Sequence, residues 1–478
     1  MKTTVIFTIV CGCMISGCFS SHYNDILIYK GLIREDICSA KHITSVEGGK
    51  DILLSQEEQK PKSHIDKVNE QGYATLGDCY ILAVKNIETL AATGENYIQA
   101  LVSKDKAISA LLPTLSLSGT HFRQEPVLIS GGGTSSFFSS TDNRSQVLIN
   151  FKKIIFDGFK EFAALRQANE NILANRESLR VAEQALFLDV AQSFYDVLSA
   201  QQEVVTLEEL VKLEAERLRE IKARQENGLA RKTEVLLIES QLAADNAKLV
   251  SSKNRLSIAR EGLYFLLGEH IEVSLKDTLQ VEVLPQEIDT LVQEAELHRN
   301  DLRQKDAEVS VAEEQIGIVR SEYLPTVDFS GNVYVYRDNY SNFQKETDWD
   351  FTVGLNFPFF EGGLTLANDR EALSKYRQAV LARNALKRQI AVDVKDAYYQ
   401  LQSDIGNISS LEAATEAADE NYKLIQEEYR QGLATNIEVM TAYNQKLSAK
   451  LDLERQYLQE KLDWIRFKIA QGILPVGQ

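Results

Sequence analysis

Two spacings of apolar residues run along this chain, and each predicts a different element. Between Gly158 and Gly228, Leu165, Ile172, Leu179 and Leu186 recur every seven residues, and Val197, Val204, Val211 and Leu218 do so again. Steps of seven predict a left-handed coiled-coil seam on a helix of ~70 residues, ~105 Å long. The longer step from Leu186 to Val197 is a stutter, which locally unwinds the supercoil. A plain coiled-coil scaffold explains this segment taken alone. Shorter helices are expected over Leu76–Leu112 and Lys232–Leu267, then over Thr290–Leu324 and Asn436–Gly472. Between them, Gly268–Gln286 holds short β-like runs at Ile271–Val273 and Leu279–Val283.

Elsewhere the period falls to two. In Thr326–Arg337, Val327, Phe329, Val333 and Val335 share one face, and Asp328, Ser330, Asn332 and Tyr334 the other. Asp348–Phe360 alternates likewise, with Trp349, Phe351, Val353, Leu355 and Phe357 opposite Asp350, Thr352, Gly354 and Asn356. Thr114–Phe122 and Ser145–Phe156 are weaker counterparts, the second blurred by Lys152 and Lys153. Alternation this long marks a membrane strand with lipid on one side and water on the other, the alternative being a soluble hairpin with one buried face. The polar connections Arg123–Arg144 and Asp338–Thr347 read as loops. Four strands cannot close a barrel, and open edges in lipid would leave backbone groups unpaired. Several copies must therefore pool their strands, and three copies would supply twelve.

The pattern occurs twice. Phe156-Asp157-Gly158, Phe194-Tyr195 and Gly228-Leu229-Ala230 match Phe360-Glu361-Gly362, Tyr398-Tyr399 and Gly432-Leu433-Ala434, each 204 residues on (360 − 156 = 204). Upstream, Leu112-Pro113-Thr114 matches Leu324-Pro325-Thr326 at an offset of 212 (325 − 113 = 212). The predicted class is mainly α with membrane β, an internal duplication with residues 75–285 as first repeat and 286–478 as second. Each repeat runs helix, strand, strand, long helix, glycine tip, helix.

The start of the chain changes the address. One lysine, a short apolar run and Ile15-Ser16-Gly17-Cys18 read as an export signal over residues 1–17, too short to span a bilayer. Small residues before a cysteine resemble the bacterial lipobox, which makes Cys18 the acylated (palmitate-bearing) first residue of the mature lipoprotein. An ordinary signal peptide is the alternative. Residues 18–74 lack periodicity and read as an extended segment or a tether. Phe19 and Ser20 include no inner-membrane retention aspartate, which favours the outer membrane. Cys38 and Cys79 remain as possible disulfide partners in an oxidising compartment.

Composition excludes more than it assigns. Seven prolines and 25 glycines in 478 residues suit long helices, and a net charge of −17 argues against nucleic acid. No GxSxG, HExxH, P-loop or CxxC occurs, and six scattered histidines have no ligand spacing, so neither an enzyme, a cofactor nor a metal site is expected. Met1, Met14 and Met440 are the only methionines, which gives no support to a methionine path for copper or silver. A periplasmic adaptor and a structural coiled-coil lipoprotein are the rival readings; adaptors carry one hairpin, whereas this chain has two.

The duplicated Leu-Pro-Thr strand start, the Phe-Asp/Glu-Gly exit and the paired Gly-Leu-Ala tips, in order over roughly residues 75–472, resemble the TolC-like outer-membrane factors, lipoprotein type. The resemblance implies a trimeric tunnel in the outer membrane of a Gram-negative-type bacterium. It has a twelve-stranded β-barrel and a periplasmic α-barrel of coiled helices. Such a tunnel is the exit duct for efflux or type I secretion, served by a periplasmic adaptor and an inner-membrane transporter of RND or ABC type. It also implies that Gly228, Leu229, Ala230, Gly432, Leu433 and Ala434 are tips that meet the adaptor. Glu234, Tyr429 and Glu438 become candidates for the periplasmic gate. Two gate positions depart from the family, Thr441 for an acid and Ala434 for an arginine, with Arg231, Lys232 or Arg430 as substitutes. Glu438 reads equally as a helix cap.

Overall fold

The computed structural model describes residues 72–123, 143–228, 230–271, 273–284, 287–337 and 348–475. They form two compact units, one from residues up to 94, 179–300 and 387 onward, the other from 95–178 and 301–386.

The second unit holds the sheet. Four strands, β2 (Thr114–Arg123), β3 (Asn143–Asp157), β5 (Thr326–Arg337) and β6 (Asp348–Asn356), pair antiparallel in the order β2-β3-β5-β6. Register places Leu115 opposite Phe151, Phe151 opposite Gly331, and Gly331 opposite Phe351, so these four positions share one face with most of the apolar residues of the sheet. That face stands open: Leu117 and Leu355 are each 71% exposed and Trp349 63%. The other face is polar, with Asn150 Nδ2 donating to Asn332 Oδ1 at 2.7 Å and Asn332 Nδ2 to Asp350 Oδ1 at 2.8 Å. Tyr334 Oη donates to Asp350 Oδ2 at 2.8 Å. The alternation predicted from sequence is realised in β2, β5 and β6, whereas in β3 register shifts at Val147/Leu148 and Ile154/Phe156 interrupt it: Lys153 stands opposite Phe329 and reaches the carbonyl of Leu111, and Ile154 stands opposite Asp328. β6 stops at Asn356, four residues before the predicted end, because Pro358 has no N–H for a ladder.

Also in this unit, the seam differs from the heptads read in sequence. Leu165 and Ile172 on α3 (Lys160–Glu226) are half-buried, and Ala163, Ala168 and Ala174 take the buried places. Small side chains allow close helix approach, with leucines flanking the contact.

The other unit contains a short parallel pair, β1 (Tyr73–Ala74) with β4 (Ser274–Leu275), and the ends of the helices. The strand predicted at Leu279–Val283 is absent. That segment is instead pinned by side chains: Lys461 Nζ meets Asp277 Oδ2 at 2.5 Å, and Lys468 Nζ meets Glu282 at 2.7 Å.

Two helices predicted as continuous are broken. Leu76–Leu112 divides into α1 (Leu76–Asn86) and α2 (Glu88–Ala110) at extended Ile87. Thr290–Leu324 divides into α5 (Ile288–His298) and α6 (Asn300–Arg320) at extended Arg299. Each break receives the end of another helix. Asn86 Nδ2 caps the last carbonyl of α4 (Lys232–Leu267), at Leu267, with a 2.8 Å bond, and left-handed Gly268 lies against Asn86. After α8 (Asn436–Ala470), left-handed Gly472 lies against the backbone of His298 and Arg299, and Arg299 pairs with Asp393 at 2.9 Å. A Cβ at Gly472 would sit 2.8 Å from two backbone atoms. The two glycines are 204 residues apart (472 − 268 = 204) and the two breaks 212 (299 − 87 = 212), the same offsets as the motifs.

Gly472→Ala is expected to destabilise this unit by more than the ~1–2 kcal/mol of left-handed strain alone, because backbone atoms must move as well. Gly432→Ala, where a Cβ meets open space at φ +79°, should show the strain alone. Thermal or urea unfolding midpoints measure the difference, and equal midpoints would refute the close-approach account.

Candidate functional site

Two helix hairpins end in the glycine tips. The first joins α3 to α4. Its helix closes through Gly228 N–H to the Gln225 carbonyl at 2.9 Å, with Gly228 at φ +75°. Only glycine takes that conformation without strain. Behind the turn, Ile221, Val235 and Ile238 form a small core against which Leu218 and Ala230 pack. Lys222 and Glu239 clasp the two helices at 2.5 Å. α4 begins at Arg231 without a side-chain cap, and Glu234 lies half-buried in its first turn. Leu229 is outside the described residues.

The second tip joins α7 (Leu364–Arg430) to α8. Gly432, at φ +79°, donates to the Tyr429 carbonyl at 3.0 Å, and Leu433 N–H reaches the Glu428 carbonyl at 2.9 Å. Leu433 is 77% exposed at the apex, and Ala434 is half-buried beside it. α8 then starts with a capping box. Glu438 accepts from Thr435 N–H at 2.6 Å and from Thr435 Oγ1 at 2.9 Å, while Glu438 N–H bonds back to Thr435 Oγ1 at 3.4 Å. These Thr435 donors hold the Glu438 carboxyl below its usual value. Of the two readings of Glu438, the cap is the one visible in its bonds.

Tyr429 occupies a place that sequence reasoning did not foresee. The Arg217 guanidinium lies 5.5 Å and that of Arg224 5.3 Å from its ring centroid, both from α3. Glu220 holds both cations, at 3.1 Å and 3.0 Å. The second tip is thereby clamped to the long helix of the first hairpin. Of the substitutes considered for the missing arginine, Arg430 pairs with Glu427 of its own helix at 3.5 Å, and Arg231 and Lys232 are exposed. The spacing of residues 217, 220 and 224 shows that they share a helix face, but nothing local reveals that a tyrosine two hundred residues later lies across it.

The remaining sequence expectations fall elsewhere. Residues 1–17, Cys18, Cys38 and the tips of both strand connections lie outside the described residues. Cys79 is fully buried and unpaired among the described residues, and burial, with Asp78 adding to it, pushes its thiol up to about 12. Among the described residues there is no cluster of three or more metal-ligating side chains, and no helix long and apolar enough to cross a membrane.

With this geometry in place, the family model described as "Outer membrane efflux protein" matches residues 85–269 and again 291–466. Nodulation protein T of Rhizobium leguminosarum bv. viciae is 24% identical over 351 residues, covering 71% of each chain. Outer membrane protein TolC of Vibrio cholerae serotype O1 is 23% identical over 415 residues, 84% of this chain and 91% of its own. The crystal structure of outer membrane protein VceC from Vibrio cholerae superposes with a TM-score of 0.72 at 17% identity, covering 84% of this chain and 96% of that one.

The clamp makes a direct prediction. A cation over an aromatic face contributes about 0.5–2 kcal/mol, and phenylalanine keeps the ring. Tyr429→Phe should therefore resist trypsin cleavage after Arg224 as the parent protein does, while Tyr429→Leu should be cut several-fold faster. Equal rates in all three would remove the clamp from consideration.

Proposed function

Because the chain belongs to the outer membrane efflux protein family, we propose that three copies join into one passive duct through the outer membrane, exporting what a partner pump delivers. The observation that carries this reading is the sheet, apolar and open on one face, hydrogen-bonded and polar on the other, with β2 and β6 as its edges among the described residues. A single chain would expose a broad apolar surface, which water does not tolerate, and two unpaired edges, which lipid does not tolerate. Pairing β6 of one copy with β2 of the next satisfies both edges and closes twelve strands. The Leu117, Trp349 and Leu355 face then meets lipid, and the Asn150–Asn332–Asp350 face meets water.

In this proposal the helices build a periplasmic wall, and the Gly228–Ala230 and Gly432–Ala434 tips dock a periplasmic adaptor whose inner-membrane transporter, RND or ABC type, supplies the energy. The exposed apex Leu433 supports docking. The shared offsets at Gly268/Gly472 and Ile87/Arg299 support a duplication with repeats 75–285 and 286–478. Cys18 is proposed as the lipid anchor, after a signal over 1–17 and before a segment over 18–74. Tyr429, held by Arg217 and Arg224, is proposed as the gate tie, with Glu234 and a ring of three Glu438 carboxylates lining the mouth and favouring cations. The duct performs no bond chemistry and needs no cofactor.

Heat-resistant trimers from outer membranes in detergent, with single-channel conductance in planar bilayers, are the expected result; a monomer without conductance would overturn the reading. Gly432→Trp should leave trimer and conductance intact, since its Cβ meets open space and the left-handed strain of about 1–2 kcal/mol stays in the turn, yet reduce export at least tenfold. Unchanged export would show that this tip does not dock.

A further inference from the structure

In the coiled hairpins, interface positions call for apolar side chains. Along α3 the buried positions step by seven through Ala200, Leu207, Glu214 and Ile221, and along α4 through Ile238, Asp245 and Ser252. Glu214 and Asp245 are each fully buried and face one another in this seam. Asp245 is well served: Gln241 Nε2 donates to Oδ2 at 2.8 Å and Lys248 Nζ to Oδ1 at 2.7 Å. Among the described residues, neither oxygen of Glu214 has a donor.

The second hairpin repeats the arrangement. Asp463 on α8 accepts from Gln459 at 2.8 Å and Arg466 at 2.7 Å, the same placement four residues before and three after. Facing it, buried Asp404 on α7 accepts at Oδ1 from Gln400 at 3.3 Å and Gln456 at 2.9 Å, and among the described residues its Oδ2 has no donor. The two pairs do not correspond under the 204-residue offset, which sets Ala418 and Ala449 against Glu214 and Asp245. The same polar device thus stands at different levels of the two hairpins.

Two buried carboxylates in contact repel, and neither can donate. One proton converts each pair into a donor and an acceptor. We propose that each hairpin is held by a carboxylic acid and a carboxylate sharing one proton, Glu214 with Asp245 and Asp404 with Asp463, so that its helices loosen when the proton leaves.

The surroundings agree. Burial first, then the Asp245 carboxylate, push Glu214 up to about 8, against the opposing Lys248. Burial first, then Asp463, push Asp404 up to about 6, against Gln456 and Gln400. Around Glu214, α8 contributes Tyr443, whose phenol is raised by burial and by Tyr422, Glu209 and Glu214, and one turn on Lys446, which pairs with Asp419 at 2.5 Å. Around Asp463, Asp396 and Arg466 line an open cleft. The native state binds these protons more tightly than the unfolded chain. Stability is therefore fully present below the ordinary carboxylate range and falls as pH rises through about 6 in the second hairpin and about 8 in the first.

The test is infrared spectroscopy and thermal unfolding of the detergent-solubilised full-length protein. At pH 7 the spectrum should contain a protonated-carboxyl stretch that Glu214→Gln lacks; at pH 5 a further contribution should be lost in Asp404→Asn. Glu214→Gln should melt above the parent by a margin that grows from pH 5 to pH 9. Glu214→Leu, which removes the charge without supplying a donor, should show the same flattened pH dependence. Spectra indistinguishable from the parent in both amide variants, or melting curves that fall in parallel across this range, would overturn the proposal.

Discussion

A β-strand edge presents peptide N–H and C=O groups that must find partners, and in hydrocarbon only another strand can supply them. This requirement governs the molecule. In the proposed trimer it makes four strands per chain insufficient and leaves the edges β2 and β6 of the order β2-β3-β5-β6 for neighbouring copies, and it agrees with the apolar residues gathered on one face. The polar face is then free to carry a hydrogen-bonded row of Asn150, Asn332, Asp350 and Tyr334.

The helices solve a different problem, that of keeping long hairpins paired without large side chains throughout. Alanines bring the helices close in one unit, and in the other the breaks at Ile87 and Arg299 accept the ends of α4 and α8. Polar groups enter the seams where they can be answered, as at Asp245 and Asp463, each flanked by a glutamine and a cation. Where no donor exists, a proton has to serve.

Much of this was legible in sequence because the signals are local and periodic. Alternation located all four strands within a few residues, and the repeated Gly-Leu-Ala marked both hairpin turns. The breaks at Ile87 and Arg299 were not legible, since no proline or glycine marks them and their cause is a helix end about 180 residues away. The short pairing of β1 with β4 escaped for the same reason, as two-residue strands carry no period. The Arg217–Tyr429–Arg224 contact escaped because charge spacing reveals a shared face but not what lies across it. Glu438 was read both as gate and as cap, and the hydrogen bonds of Thr435 display the cap.

The clamp on Tyr429 also has no mirror image. Shifted back by 204 residues, Tyr429 falls on Gln225, while Arg217, Glu220 and Arg224 shift forward onto Asn421, Leu424 and Glu428. The two apices are therefore not built alike: the first is seated on its own small core, and the second is joined to the first hairpin through this contact. Substitutions in residues 217–224 will be felt at the far tip, and one at Tyr429 will be felt at Arg224, because the contact is shared. Two halves with this division of labour cannot trade places or be reduced to two copies of either one.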